Sequence, residues 1–432
     1  MGVLAALVLI FFCCLIIWRA CDGFETASEY LGRNLSEGVR GGTINAISSS
    51  LPELFTTLLA LFFVAQAEGQ AANEEAFAIG IGTTAGSAIF NGMIIPAVCI
   101  LAVVGGTFKG IRVGAVQVAQ KVILRDGLAL ILCELMLILM LNGDQLYWWH
   151  GMLLILMYLS YFLYMVLSMK PVVTDYEPPL ETSESRGLAG HLFYWLSLGP
   201  LLDLEHIFVR EKHRQAMAQQ TWNAWPLLLG STGVIGIACW LLVVGCEWLG
   251  SGPDHPAHFL GQTLPPGLDI PIIFVAVIFA SMATSVPDTI ISIRDARDGD
   301  YDDAVANALG SNIFDICFAL GFPLLLYTLI YQKPIEMGPE VAHQSAELRL
   351  WLLTFTVIGF VVFLTGKRTQ HEGTQCIAMN RLHALALLLI YATFAVYIAS
   401  QGLQVEWALQ VSEWVQSSIL PLLPDIPPGP AS

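Results

Sequence analysis

Two strongly apolar segments of this chain each hold a proline followed at once by a carboxylate. They are Ser49-Ser50-Leu51-Pro52-Glu53 in the first half and Thr284-Ser285-Val286-Pro287-Asp288 in the second. An acid in the middle of a membrane-length segment is costly and is retained where it has a function. A second copy in the other half points to two half-chains that share one cation site.

The bulk composition agrees with a membrane setting. The chain is 56% hydrophobic and 12% charged, which excludes a disordered or nucleic-acid-binding protein and points to a polytopic membrane protein. The net charge of −16 says little about orientation, because acidic residues hardly influence it. The nine cysteines are scattered through apolar runs without metal-ligand spacing, so they read as packing residues. The run from Gly2 to Trp18 has neither a basic leader nor a small-residue cleavage site. It reads as a retained helix.

A bilayer span needs about 20 apolar residues. Ten runs qualify: 2–19, 41–66, 76–104, 125–142, 147–168, 225–248, 270–293, 303–330, 348–365 and 382–401. With this count, 17 of the 19 lysines and arginines fall on one set of alternate loops; Lys333 and Arg349 are left on the other side. Cytoplasmic loops hold such residues, so both termini are expected outside and the middle loop in the cytosol, with the protein in the plasma membrane. The expected fold is all-α: ten transmembrane helices arranged as two inverted-topology five-helix repeats. Residues 1–168 form the first repeat, 169–224 a cytosolic linker, 225–401 the second repeat and 402–432 an external amphipathic tail. Five is an odd number, so the two motif helices, 41–66 and 270–293, cross in opposite directions.

Within the linker, residues 178–186 are polar and helix-breaking, whereas 203–220 read as a charged cytosolic helix. In the tail, Trp407, Val411, Trp414 and Val415 share one helical face, which suits the outer membrane interface. The stretch from Pro424 to Ser432 is too proline-rich to fold. Glu134 reads as a helix–helix hydrogen-bonding residue or an end-facing one. The acidic run Asp295, Asp298, Asp300, Asp302 and Asp303 lacks the spacing of a Ca²⁺-binding loop and reads as a solvated loop that caps the next helix.

The chemistry of the motifs follows from proline. Pro52 has no N–H, so the carbonyl of Ser48 loses its helical partner; Pro287 does the same to Ala283. In hydrocarbon such a carbonyl must be satisfied by protein, water or an ion. Each motif adds hydroxyls, from Ser49 and Ser50 or from Thr284 and Ser285, and a carboxylate. The next helix of each half adds Ser87 and Asn91, or Ser311 and Asp315, four residues apart on one face. Gly82 with Gly86, and Ala306 with Gly310, give the small-residue spacing that lets helices approach closely. All of these donors are hard oxygens: about six to eight suit Ca²⁺, and fewer suit Na⁺. If Glu53, Asp288 and Asp315 are all ionised, the set carries −3. One Ca²⁺ with a K⁺, a Na⁺ or a proton on Asp315 would balance it, and so would three Na⁺. A centre that is neutral only when loaded suits an exchanger, because an empty, charged centre resists crossing a low-dielectric barrier.

At these residues the chain resembles the cation/Ca²⁺ exchanger superfamily, whose paired repeats carry a Gly-[Thr/Ser]-Ser-x-Pro-[Glu/Asp] motif and a following Gly-Ser-[Asn/Ala] motif. The resemblance covers residues 41–105 and 270–330. Gly86-Ser-Ala-Ile-Phe-Asn91 and Gly310-Ser-Asn-Ile-Phe-Asp-Ile316 are most similar to the K⁺-dependent Na⁺/Ca²⁺ exchanger branch. It implies that Glu53 and Asp288 hold Ca²⁺, assisted by the carbonyls of Ser49 and Thr284. Ser50, Ser87, Ser285, Ser311 and Asp315 would line Na⁺ sites with Asn91 nearby, and Asp315 would be associated with K⁺ use. It also implies a secondary antiporter working by alternating access, in which helices 2–19 and 225–248 slide against the remaining eight. Ca²⁺, Na⁺ and, in that branch, K⁺ are cargo, and no cofactor is implied. The chain departs from the motif where Ser48 and Ala283 replace the leading glycines. The alternatives are a Ca²⁺/H⁺ exchanger, whose Gly-Asn-Ala-x-Glu-type motifs are absent, an intramembrane aspartyl protease built on Asp288 and Asp315, and a channel.

Overall fold

The structure is a computed structural model that describes residues 2–32, 39–64, 70–108, 111–140, 145–168, 194–195, 199–204, 224–371 and 373–423. The polar stretch 178–186, nearly all of the expected charged helix 203–220 and the segment 424–432 lie outside the described residues.

The chain is mostly helical. The long helices are α1 (Gly2–Gly32), the bent pair α2 and α3 (Gly41–Ser49 and Leu51–Phe62), α4 (Gln70–Val103), α5 (Gln120–Met140) and α6 (Trp148–Leu167). They are followed by α7 (Trp225–Gly250), the bent pair α8 and α9 (Ile272–Thr284 and Val286–Asp298), α10 (Tyr301–Tyr331), α11 (Pro339–Leu364), α12 (Arg381–Gly402) and α13 (Glu406–Ser418). Among the described residues seven helices are long and apolar enough to cross a membrane, and nine spans result if each bent pair is one. The helix α5 has 21 residues but carries Arg125, Asp126 and Glu134. Its Glu134 accepts a hydrogen bond from Thr356 of α11 at 2.7 Å, as expected of a helix–helix contact.

Several boundaries differ from the apolar runs, each time because charged residues find partners. The helix α1 continues past Trp18 to Gly32. There Arg294 of α9 pairs with Asp22 at 3.0 Å and with Glu25 at 2.9 Å. The helix α11 starts at Pro339 rather than at 348, so Arg349, expected near the outer end, is only 1% exposed and donates to the carbonyl of Ser345 at 2.9 Å. Its neighbour Glu347 accepts from Tyr397 and Gln401 of α12 and from Ser412 and Gln416 of α13. That network reorders the tail. The face of α13 turned inward is Ala408, Ser412 and Val415, whereas Trp407 and Trp414 stay largely exposed. Of the face read from the sequence, Val415 alone is fully covered.

The connecting loops are not all irregular, and short strands pair between them beside the mostly helical body. Val116–Ala119 (β1), Lys367–His371 (β2) and Thr374–Met379 (β3) form a three-stranded antiparallel sheet in the order β1-β3-β2. Val116 lies opposite Met379, and Lys367 opposite Ala378. Short alternating runs of this kind are too brief to stand out against membrane-length hydropathy, yet pairing satisfies their backbone groups.

Apolar side chains form two cores. The larger joins α4, α5, α6, α10, α11 and α12. The smaller lies where α1 and α7 pack along each other and against the bent helices. The polar centre lies where the bent pairs meet α4 and α10.

Candidate cation site

Each motif helix breaks at the residue before Leu51 or Val286. Ser50 has φ −93° and ψ 7°, and Ser285 has φ −81° and ψ 0°, both in the bridge region of backbone space. The two halves of each helix meet at 42° in the first motif and 41° in the second. Pro52 and Pro287 sit in the first turn of the following helix, where a missing N–H is tolerated. Wide π turns flank the breaks at Gly41–Asn45, Ala60–Val64 and Ala276–Ala280, and a fourth begins at Asp315. Such turns recur where a helix serves a site.

Glycine allows the four helices to converge. A Cβ on Gly86 would lie 2.2 Å from the carbonyl oxygen of Val277 in α8, and one on Gly310 would lie 2.8 Å from Cα of Gly42 in α2. The helix after each motif therefore packs directly on the motif helix of the other half. Ala306 is itself fully buried, and the carbonyl of Ala306 lies near Gly42.

All ten residues singled out from the sequence are fully buried: Ser49, Ser50, Glu53, Ser87, Asn91, Thr284, Ser285, Asp288, Ser311 and Asp315. Hydroxyls join their carboxylates. Ser87 lies 3.1 Å from Glu53 Oε1, 2.9 Å from Asp315 Oδ2 and 3.0 Å from the Ser285 hydroxyl. Ser49 and Ser311 both donate to Asp288 Oδ1, and Asn91 donates to Asp288 Oδ2 at 3.2 Å. The Thr284 hydroxyl donates to the carbonyl of Ser281 at 3.2 Å. The arrangement interlocks the halves: Ser49 of the first motif serves Asp288 of the second together with Ser311, and Ser87 of the first half joins Glu53 to Ser285 and Asp315 of the second. Among the described residues no three acids, histidines or cysteines form a metal group by themselves. Any ion would be held by a mixed set of carboxylate, hydroxyl and amide oxygens.

Four oxygens of this centre have no hydrogen-bond partner: Ser50 Oγ, Glu53 Oε2, Asn91 Oδ1 and Asp315 Oδ1. A buried acceptor left unmatched costs about 1–3 kcal/mol, more when charged. Hard cations are the partners such oxygens suit, and no soft ligand stands among them.

The structure also brings in residues not singled out above. Asn307 donates to Ser292 at 2.9 Å and to the carbonyl of Asp288 at 3.3 Å. Asn312 donates to the carbonyl of Ala88 at 2.8 Å. The signal for Asn307 was its position four residues before Ser311, on the same helical face. The acidic run is more than a solvated loop. Asp303 is fully buried and accepts from Arg40 at 2.7 Å and from the Gly41 N–H at 3.0 Å, and Asp302 accepts from the Ala119 N–H at 2.7 Å.

Broken membrane helices that aim oxygen donors at a buried centre define a secondary transporter of cations. The sequence profile described as "Sodium/calcium exchanger protein" matches residues 5–167 and 230–399. The chain therefore belongs to the sodium/calcium exchanger family and is a transporter, not an enzyme. It is 23% identical over 482 aligned positions to sodium/potassium/calcium exchanger 4 of Mus musculus, covering 78% of this chain and 74% of that protein. It is 25% identical over 391 positions to sodium/potassium/calcium exchanger 5 of Homo sapiens, covering 76% and 71%. The solved structure of the H⁺/Ca²⁺ exchanger CAX superposes with a TM-score of 0.55 at 11% identity, over 95% of this chain and 90% of that one. At that identity the likeness speaks to the fold alone.

Proposed function

We propose that this chain is an antiporter that exchanges Ca²⁺ for Na⁺ by alternating access, with K⁺ moving alongside Ca²⁺. The observation that carries this reading is the interlocked donor pattern, in which Ser49 of the first half serves Asp288 of the second and Ser87 of the first half reaches Glu53, Ser285 and Asp315. Such a centre comes apart when the halves move against each other, so its geometry depends on the transport state. Glu53 and Asp288 hold Ca²⁺, aided by the carbonyls of Ser49 and Thr284. Ser50, Ser87, Ser285, Ser311 and Asp315 line the Na⁺ positions beside Asn91, and Asp315 takes part in K⁺ coupling.

With α5 counted beside the seven long helices and the two bent pairs, the chain has ten spans in two five-helix inverted repeats. Two cross-loop contacts support that count. The loops 105–119 and 366–380 are both basic and pair through β1 and β3. Gln145–Leu146 pairs with Ile335–Glu336 between loops assigned to the opposite side. Both termini then face outward across the plasma membrane, with the 169–224 linker in the cytosol.

The test is uptake of radiolabelled Ca²⁺ into Na⁺-loaded proteoliposomes, with and without K⁺ outside. Uptake that collapses when the Na⁺ gradient is removed supports the reading. Uptake that ignores Na⁺ and follows a pH gradient would assign the chain to Ca²⁺/H⁺ exchange instead.

A further inference from the structure

Two threonines beside the centre behave unlike their neighbours. Buried threonines in helices usually donate to a carbonyl one turn back. Thr57 does so to Glu53 at 3.0 Å, and Thr84 to Gly80 at 2.9 Å. Thr56 and Thr83 are fully buried, yet the hydroxyl of each has no hydrogen-bond partner.

Their place in the fold is set by two contacts between α3 and α4. At the centre, Ser87 donates to Glu53. One turn further along α3, Thr57 packs on Gly80, where a Cβ would meet the threonine Cγ2 at 2.6 Å. By helical spacing Thr56 falls one turn beyond Glu53 on α3 and Thr83 one turn before Ser87 on α4, so both belong to the layer between these contacts, on the side away from Arg40 and Arg294. Glu53 Oε2 is unpartnered as well. The matching positions of the second half are Ile291 and Asn307. Ile291 has no hydroxyl, and the Asn307 amide is already engaged by Ser292 and by the Asp288 carbonyl. The extension therefore exists on one side of the centre only.

We infer that Thr56, Thr83 and Glu53 Oε2 form a further Na⁺ subsite on the outer approach to the pocket, entered before the inner positions fill. Two neutral hydroxyls and one shared carboxylate oxygen are hard donors that add no charge of their own. They suit a monovalent hard cation better than a divalent one. This subsite rests on the cation-pocket reading above.

The test uses cells expressing the full chain, with Ca²⁺ release measured against external Na⁺. Thr56→Val and Thr83→Val keep shape and remove the hydroxyl. Each raises the half-activating external Na⁺ by about five-fold, as expected for one lost neutral polar contact, with little change in the rate at saturating Na⁺. Thr56→Ser and Thr83→Ser stay near the parent value. Unchanged half-activation in both valine variants would overturn the subsite and leave the hydroxyls to a buried water. An equal shift in the valine and serine variants would also overturn it, in favour of packing. If the parent chain itself shows no Na⁺-driven Ca²⁺ release, it is the exchange reading that fails.

Discussion

Asp288 has the most donors of any acid in the centre, from Ser49, Ser311 and Asn91. Glu53 and Asp315 share Ser87 and each keep one free oxygen. This difference separates the roles of the three acids. Glu53→Gln and Asp288→Asn keep size and hydrogen bonding but remove charge from a buried site. Deleting one partner of a buried charge contact costs ~3–5 kcal/mol, so each variant should lower Na⁺-dependent Ca²⁺ uptake by about 100-fold or more while protein yield holds. Near-normal uptake in both would remove them from the cargo path. Asp315→Asn should spare uptake and abolish its response to K⁺. A K⁺ response equal to that of the parent would take Asp315 out of K⁺ coupling.

At the scale of elements, the breaks were legible because proline chemistry is local. Pro52 and Pro287 mark where each helix must open, and the bends fall one or two residues before them. The ten residues were legible for local reasons too: Ser87 with Asn91 and Ser311 with Asp315 share faces by spacing of four, and the other six flank the two prolines. The partners of Asp302, Asp303 and Glu347 were not, because those contacts join residues far apart in sequence and arise only once helices pack. The end of α1 and the start of α11 escaped for a related reason, since hydropathy falls at a charge although the helix continues. Glycine spacing was legible as close approach, and the structure makes it quantitative. Gly86→Ala would place a methyl 2.2 Å from backbone oxygen in α8. Over-packing of this kind costs about 1–3 kcal/mol, so the variant should melt earlier in detergent. Gly233→Ala on α7 meets nothing within 4 Å and should melt no earlier than the parent. Equal melting of the two variants would contradict the packing of α4 on α8.

For the whole molecule the decisive property is which loops share a side. Basic residues separate the loops into two sets, and the small sheets join loops only within a set. The three-stranded sheet ties 116–119 to 367–379, and a second pairing ties 145–146 to 335–336. A chain with one span more or fewer between β1 and β2 would have to pass β1 through the membrane to reach β3. With the native cysteines replaced, Gln375→Cys in β3 and Gln262→Cys in the loop after α7 therefore probe opposite faces; both positions are exposed. In intact cells a membrane-impermeant maleimide should label Gln262→Cys and leave Gln375→Cys unlabelled until the membrane is permeabilised. Labelling of both from outside would break the alternation. An even number of crossings would then separate Gln262 from Gln375, and the ten-span count would fail between α8 and α11.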